Sequence, residues 1–326
     1  MFRYKDHDGK RRSKRLCRAD ASIGEIWQAF NAITDTRANT FRSLSLDFQK
    51  SPTWAELSAA THKDYINCHN AICERKTSTG KLGDAPLHSW SPGLVRKYRD
   101  KRAEESRSRA NKELSYIARV FAWGYEYEKV KSNPARGISK LKTAPRQHYV
   151  AEPDYKTAID CAAKSGSPYM APAMEIAYLC RMRLAEVLDL TDANELPDGL
   201  LVSRRKGSKD NITRWTPRLR AAINDAKRIR LERMNKNRHP MPIKPEQRYF
   251  FVGVHSGRLR ESTFQTAWQR LMKYPAIKQK FTFHDLKRRG ISDTKGDKLA
   301  ASGHRDLAML RIYDVTPDLV DPAGKE

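Results

Sequence analysis

None of the 326 residues of this chain fall in an apolar run long enough to cross a bilayer, which takes about 20 consecutive apolar residues as a helix. The opening Met1-Phe2-Arg3-Tyr4-Lys5 lacks the apolar core of a secretion signal. Cysteine is scarce: five residues, Cys17, Cys68, Cys73, Cys161 and Cys180, scattered and odd in number. That excludes a disulfide framework and fits reduced thiols in a cytoplasmic protein. His62, Cys68, His69 and Cys73 lie close together, but their spacing matches no standard zinc finger, so no metal is expected. Neither a Walker P-loop nor the clustered carboxylates of a two-metal nuclease can be found. Acidic residues are also few, 38 against 63 Lys plus Arg, a formal charge of +25. So large an excess costs self-repulsion unless a polyanion neutralises it, and nucleic acid is the usual one.

What is present suggests about two domains. Residues 1–20 form a basic arm whose run Lys10-Arg11-Arg12-Ser13-Lys14-Arg15 has no hydrophobic period. It reads as a mobile arm that orders on nucleic acid. Residues 21–138 are patterned as helices. Ser51-Pro52-Thr53 and Ser91-Pro92 are start signals. The clearest helix spans about 109–130, with Leu114, Ile117, Ala118, Phe121, Ala122 and Tyr125 as its core-facing stripe. Asn133-Pro134 ends it. Residues 139–149 are basic and aperiodic, a linker suited to lie along phosphates. A second domain, 150–326, opens with helices and carries one hairpin candidate. Leu200 to Arg204 and Ile212 to Thr216 are its strands, and Gly207-Ser208-Lys209-Asp210-Asn211 is turn chemistry.

The informative side chains lie in that second domain. Arg183 and Glu186 stand three apart at the start of a helix whose buried side is Leu184, Val187 and Leu188. A guanidinium and exposed N–H groups there suit a phosphate. Lys206 borders the hairpin turn, and His284 opens His284-Asp285-Leu286-Lys287-Arg288. His304 follows Gly303, and Tyr313 comes nine residues later. On one straight helix nine residues turn roughly 900°, placing His304 and Tyr313 on opposite faces. If both serve one phosphate the chain must break between them, with Asp306 to Leu310 as a short helix and Tyr313 beyond its end.

In this order and spacing, Arg183 with Glu186, Lys206, His284, Gly303-His304 and Tyr313 closely resemble the catalytic pattern of the tyrosine recombinase (phage integrase) family, over roughly residues 150–316. The resemblance implies a two-domain fold. An all-α SAM-like core-binding domain would precede a mainly α (α+β) catalytic domain of the DNA breaking-rejoining type with a small β-hairpin or sheet. It implies action on double-stranded DNA attachment sites as a homo-tetramer, with accessory DNA-bending or directionality proteins as further partners, in the nucleoid of a bacterial host cell. That family swaps a C-terminal segment between neighbours, yet only 13 residues follow Tyr313, and Pro317 and Pro322 oppose a long helix there.

Three features depart from the pattern. The family's second arginine, three residues after its first histidine, is Lys287 here, with Arg288 adjacent. On a helix both share a face with His284, and register favours Lys287. The stretch from His284 to His304 is short, and Arg181-Met182 replaces the glycine common before the first arginine.

The residue types suit phosphodiester exchange. Arg183 and a second cation would stabilise charge on the non-bridging oxygens. His284 and His304 would donate hydrogen bonds or handle protons, and the Tyr313 phenolate would attack. By the resemblance, Lys206 protonates the leaving 5′ oxygen, and a 3′-phosphotyrosine conserves the bond energy. Neither ATP nor any other cofactor is then required. A type IB topoisomerase-like enzyme shares this chemistry, and a catalytically weakened DNA-binding protein shares the scaffold. Trapped covalent product separates enzyme from binder, and joining of two different duplexes separates recombinase from topoisomerase.

Overall fold

A computed structural model describes residues 2–5, 11–15, 18, 20–23, 25–26, 39–78, 80–144, 148–205 and 207–315. Lys206 and the tail from Thr316 onward, both singled out from sequence, lie outside the described residues. The chain divides into two compact units, Met1–Ala144 and Pro145–Glu326. Among the described residues no helix is long and apolar enough to cross a membrane.

The first unit begins with an antiparallel pair, β1 (Phe2–Lys5) and β2 (Arg11–Lys14), registered Phe2↔Lys14 to Lys5↔Arg11. This strand pair lies within the stretch read from sequence as a basic arm. In sequence, Asp8-Gly9 between the strands is turn chemistry that a count of basic residues overlooks. Helices α1 (Phe41–Phe48), α2 (Pro52–Ala55) and α3 (Ala59–Cys73) follow. Each starts where a hydroxyl accepts a backbone N–H: Thr40 from Ser43, Ser51 from Trp54, Ser58 from Thr61. A two-residue hairpin, β3 (Lys76–Thr77) and β4 (Gly80–Lys81), leads towards α4 (Pro92–Glu126), capped by Ser91. His62 and His69 have ordinary structural contacts: His62 stacks on Trp54, and His69 Nδ1 pairs with Ser45 Oγ at 2.7 Å.

Helix α4 is two helices joined at Ser106, whose backbone (φ −164°, ψ 111°) is extended. Ser106 Oγ accepts the Arg109 N–H, so the second segment starts close to the sequence-predicted position. Its buried face is Leu114, Ile117 and Phe121 as expected, but continues through Tyr116, Val120 and Trp123. Ala118 and Ala122 are only half-buried and Tyr125 is exposed, so the apolar stripe is rotated from the one read in sequence. The bulky side chains took the core and left the alanines at its edge. The core comprises Phe41, Leu44, Phe48, Ile72, Trp90, Tyr116 and Phe121 among others. The stretch read as a linker is partly anchored: Asn111 exchanges two hydrogen bonds of 2.8 Å with Leu141, and Arg99 Nη1 donates to the Ser139 carbonyl at 2.6 Å.

The second unit packs α5 (Glu152–Ala163), α6 (Met170–Leu179) and α7 (Leu184–Leu188) before a hairpin, β5 (Gly199–Val202) and β6 (Asn211–Arg214). The hairpin register runs Gly199↔Arg214 to Val202↔Asn211. Its strands are shorter than read from sequence, because the Arg204 N–H is taken by Asp210 Oδ1 at 2.7 Å and so leaves the ladder. Then come α8 (Pro217–Lys236), α9 (Glu261–Leu271), α10 (Phe283–Ser292), α11 (Lys298–Ser302) and α12 (Leu307–Tyr313). Helix α6 is the centre of the core, with Ala173, Ile176 and Ala177 fully buried. Helix α10 lies against it so closely that a Cβ on Gly290 would sit 2.2 Å from the Tyr178 carbonyl.

Across the Ser106 break one buried carboxylate ties the two arms of α4. Glu113 accepts from Tyr98 Oη at 2.7 Å and from Arg102 Nε at 3.0 Å, both before the break. Glu113→Ala should cost about 3–5 kcal/mol by leaving these donors without their carboxylate. Urea denaturation of the full chain measures it; a loss under about 1 kcal/mol would show that the break is held by apolar packing alone.

Candidate active site

Three short segments of the second unit build the site, and each begins with a local device that fixes a side chain. The first follows α6. Arg181 adopts φ +52°, a left-handed conformation that usually selects glycine. The arginine here uses its side chain instead, donating from Nε to the Ala301 carbonyl at 3.2 Å. The chain then turns into α7 with Arg183 as its N-cap. Val187 and Leu188 are buried, and Leu184 is half-buried. The Arg183 N–H donates to Glu186 Oε2 at 2.8 Å, and α7 is only five residues long. Arg183 Nη1 also donates to Glu186 Oε1, at 2.7 Å.

The second segment is α10. The Thr282 N–H and hydroxyl donate to Asp285 Oδ2 at 2.8 and 2.9 Å, fixing its first turn. Phe283, Leu286 and Ile291 enter the core. That register points Lys287 inward with no exposure, while the Arg288 side chain keeps 11%. Arg288 Nη1 lies 4.0 Å from Asp285 Oδ1. Among the described residues the Lys287 ammonium has no hydrogen-bond partner.

The third segment carries His304 and Tyr313. Helix α11 ends at Gly303, φ +72°, and α12 starts after Asp306, whose side chain accepts the Met309 N–H. The chain thus breaks between the two residues. Tyr313 is the last residue of α12 rather than beyond it, because the helix starts at Leu307 and extends past Leu310. A side chain at Gly303 has no room: its Cβ would lie 2.5 Å from the Lys209 carbonyl. The Gly303 carbonyl in turn accepts the Lys209 N–H at 2.8 Å, docking α11 on the hairpin turn.

These segments converge on the Tyr313 ring. The His304 ring centroid is 4.6 Å away and that of His284 5.4 Å. Lys287 Nζ lies 5.7 Å and the Arg288 guanidinium carbon 5.8 Å from its centroid. The structure therefore gathers His284, Lys287, Arg288, His304 and Tyr313 around one ring. Arg183 and Glu186 adjoin them: both shift the Lys287 equilibrium by their charge. The position of Lys206 lies outside the described residues.

Burial combined with like charge sets the protonation states. Desolvation lowers Lys287 to about 7, aided by Arg183, Arg204 and Arg181 and opposed by Glu186. His284 is pushed down to about 4 by burial, then by Arg288, Lys287 and Arg183. His304 is likewise lowered to about 4 by burial, then Lys287, Arg183 and Arg204. Both imidazoles are thus neutral at neutral pH, each with one N–H to donate and one nitrogen to accept. Neither His304 nitrogen has a hydrogen-bond partner among the described residues. Burial pushes the Glu186 carboxyl up, but the Arg183 N–H, Lys287 and the Arg183 guanidinium outweigh it and hold the group below the usual carboxylate range. The arrangement offers an anion several inward donors, excess positive charge and a phenol.

Sequence reasoning missed Arg204, which is fully buried at its side chain. A signal existed: alternation along the strand puts Leu200, Val202 and Arg204 on one face. The run Arg204-Arg205-Lys206 instead read as surface charge.

Comparison with known proteins gives the family and the fold. Residues 149–316, just over half of the chain, match the model of the phage integrase family. A tyrosine recombinase XerC from Alcanivorax borkumensis is 27% identical over 212 residues, which are 61% of this chain and 66% of that protein. The match therefore spans just under two thirds of the relative's length. Among solved structures, a lambda integrase tetramer bound to a Holliday junction superposes with a TM-score of 0.69 at 17% identity, covering 98% of this chain and 94% of that one. The Tn1549 transposon integrase in complex with circular intermediate DNA gives 0.64 at 13% identity, with 86% and 96% covered. These likenesses show the fold, and the family match shows the lineage: the chain belongs to the phage integrase family of tyrosine recombinases.

Proposed function

We propose that this chain is a site-specific DNA recombinase, a phage or genomic-island integrase, that cuts and rejoins duplex DNA through a 3′-phosphotyrosine on Tyr313. The observation that carries the reading is the gathering of two imidazoles, a lysine and an arginine around one tyrosine ring. The phenol attacks once it has lost its proton. Arg183, anchored by Glu186, and Lys287 neutralise the non-bridging oxygens as charge builds on the phosphorus centre. His284 and His304 each donate one N–H, and the free nitrogen of either can accept the phenol proton. Lys206 supplies the proton of the leaving 5′ oxygen. The assemblies of the similar solved structures, a lambda integrase tetramer on a Holliday junction and a Tn1549 integrase on circular intermediate DNA, support a homo-tetramer acting on duplex attachment sites.

The nucleophile is tested with a nicked suicide duplex carrying a candidate attachment site. Wild-type protein should accumulate a covalent protein–DNA adduct, and Tyr313→Phe should bind the duplex equally but form none. An adduct of wild-type yield from the Phe variant would remove Tyr313 from this role.

Lys287 in place of arginine makes activity depend on pH. An ammonium that titrates near 7 in the free protein loses its charge above that point. Adduct formation at limiting DNA, which reports the free protein, should therefore fall above about pH 7. Lys287→Arg should retain activity and abolish the fall, and Lys287→Ala should lose orders of magnitude. Arg288→Ala should mainly weaken DNA binding or stability; if it kills cleavage while Lys287→Ala is tolerated, the second clamp is Arg288.

The same lysine destabilises the fold. Unfolded, it stays protonated up to its ordinary value of 10.5; folded, it sheds its proton near 7. Between these values the unfolded state binds more protons, so its contribution to stability rises with pH, by about 1.4 kcal/mol per unit. Lys287→Met should raise the melting temperature at pH 7 and raise it less at pH 9. An equal gain at both pH values would mean that the ammonium is not desolvated.

A further inference from the structure

Between the hairpin and the two segments bearing Arg183 and His304 sits a side chain that no step of the reaction uses. Arg204 follows β5 with its backbone N–H fixed by Asp210. Its guanidinium has no exposure and faces two chain segments at once. Nη1 donates to the Arg181 carbonyl at 2.6 Å, and Nη2 to the Cys180 carbonyl at 2.9 Å. Nη2 also donates to the Ala301 carbonyl and to Asn211 Oδ1, both at 3.2 Å. Glu186 Oε2 lies 3.5 Å from Nη1.

The carbonyls it binds are where two helices end. Cys180 is the C-cap of α6, two residues before Met182 and three before Arg183. Ala301 stands in the last turn of α11, three residues before His304. Last-turn carbonyls have no partner within their own helix and carry the negative end of its dipole. One planar cation thus closes both ends at a fixed separation. Asn211 reinforces it, donating from Nδ2 to the Ala300 and Ala301 carbonyls at 2.9 Å each.

We infer that Arg204 is a positioning residue: its buried guanidinium locks the end of α6 to the end of α11 and so sets the distance between Arg183 and His304. Only a forked, permanently charged side chain can hold three carbonyls in this way, and an ammonium cannot span them. The inference rests on the recombinase reading for its effect on rate, but the lock itself is a property of the fold. Arg204 also acts by its charge on Lys287, as Glu186, Arg183 and Arg181 do, and Arg288 stands beside the same Tyr313 ring. Removing the Arg204 charge therefore lets Lys287 keep its proton to higher pH.

The test uses full-length protein, the nicked suicide duplex and single-turnover adduct formation. Arg204→Met should slow adduct formation about 100-fold, the scale of a misplacement near 1 Å, with duplex affinity unchanged. Arg204→Lys keeps a charge but not the fork and should leave the rate slow. In Arg204→Met the fall in rate at alkaline pH should move upward, which a mere loss of folded protein cannot produce. Amide exchange should rise together in residues 182–186 and 302–304. Wild-type rates with an unshifted pH profile, or faster exchange confined to the hairpin, would overturn the inference. Should Arg204→Met not fold, Asn211→Ala gives the reading: slower adduct formation at equal affinity supports the lock, and an unchanged rate refutes it. Absence of adduct from wild-type protein would sink the recombinase reading, and amide exchange would still decide the lock.

Discussion

One buried carboxylate makes the rest of this site possible. Glu186 accepts from the Arg183 guanidinium, the Arg183 N–H and the Arg205 N–H, and lies 3.5 Å from Arg204. Burying a cation without a partner costs several kcal/mol, and four basic side chains, those of Arg181, Arg183, Arg204 and Lys287, crowd the same volume. Glu186 offsets part of that cost while its oxygens are fully engaged. It therefore cannot serve as a base, and it leaves the site with a surplus of positive charge. A surplus of that sign in a space of low dielectric suits a doubly substituted phosphate and repels a metal ion.

The surplus also explains the protonation pattern. Two histidines would ordinarily be half-charged near neutral pH. Here burial and adjacent cations keep both neutral. Neutral rings can stand within ring-contact distance of Tyr313 without adding to the repulsion, and each keeps a nitrogen that accepts a proton. Lys287 is the residue in which the balance is closest, since its ordinary charge is the one the surroundings can remove.

Much of this was legible in the chain itself. The nine-residue interval from His304 to Tyr313 implied a break, and the structure places one at Gly303 to Asp306. Ser91-Pro92 and Ser51-Pro52 did start helices, because a hydroxyl cap and a fixed φ act locally. Less visible were features decided by distant partners. Tyr116 and Trp123 displaced Ala118 and Ala122 from the core through volume, which a periodicity count ignores. Asn111 holds Leu141 across about thirty residues, so the stretch after Ile138 looked freer than it is. Arg204 sits in a basic run, and only its three carbonyl partners, none near it in sequence, reveal it as interior.

Gly303 has a consequence for heredity. Every single-base change from a glycine codon that alters the residue either stops the chain or adds at least a Cβ, and here a Cβ meets the Lys209 carbonyl at 2.5 Å. The left-handed backbone adds a second objection to each of those side chains. No stepping-stone residue lies one mutation away that keeps His304 where it is. The position can be lost but cannot drift, and in any lineage of this chain still under selection it should be among the slowest to change.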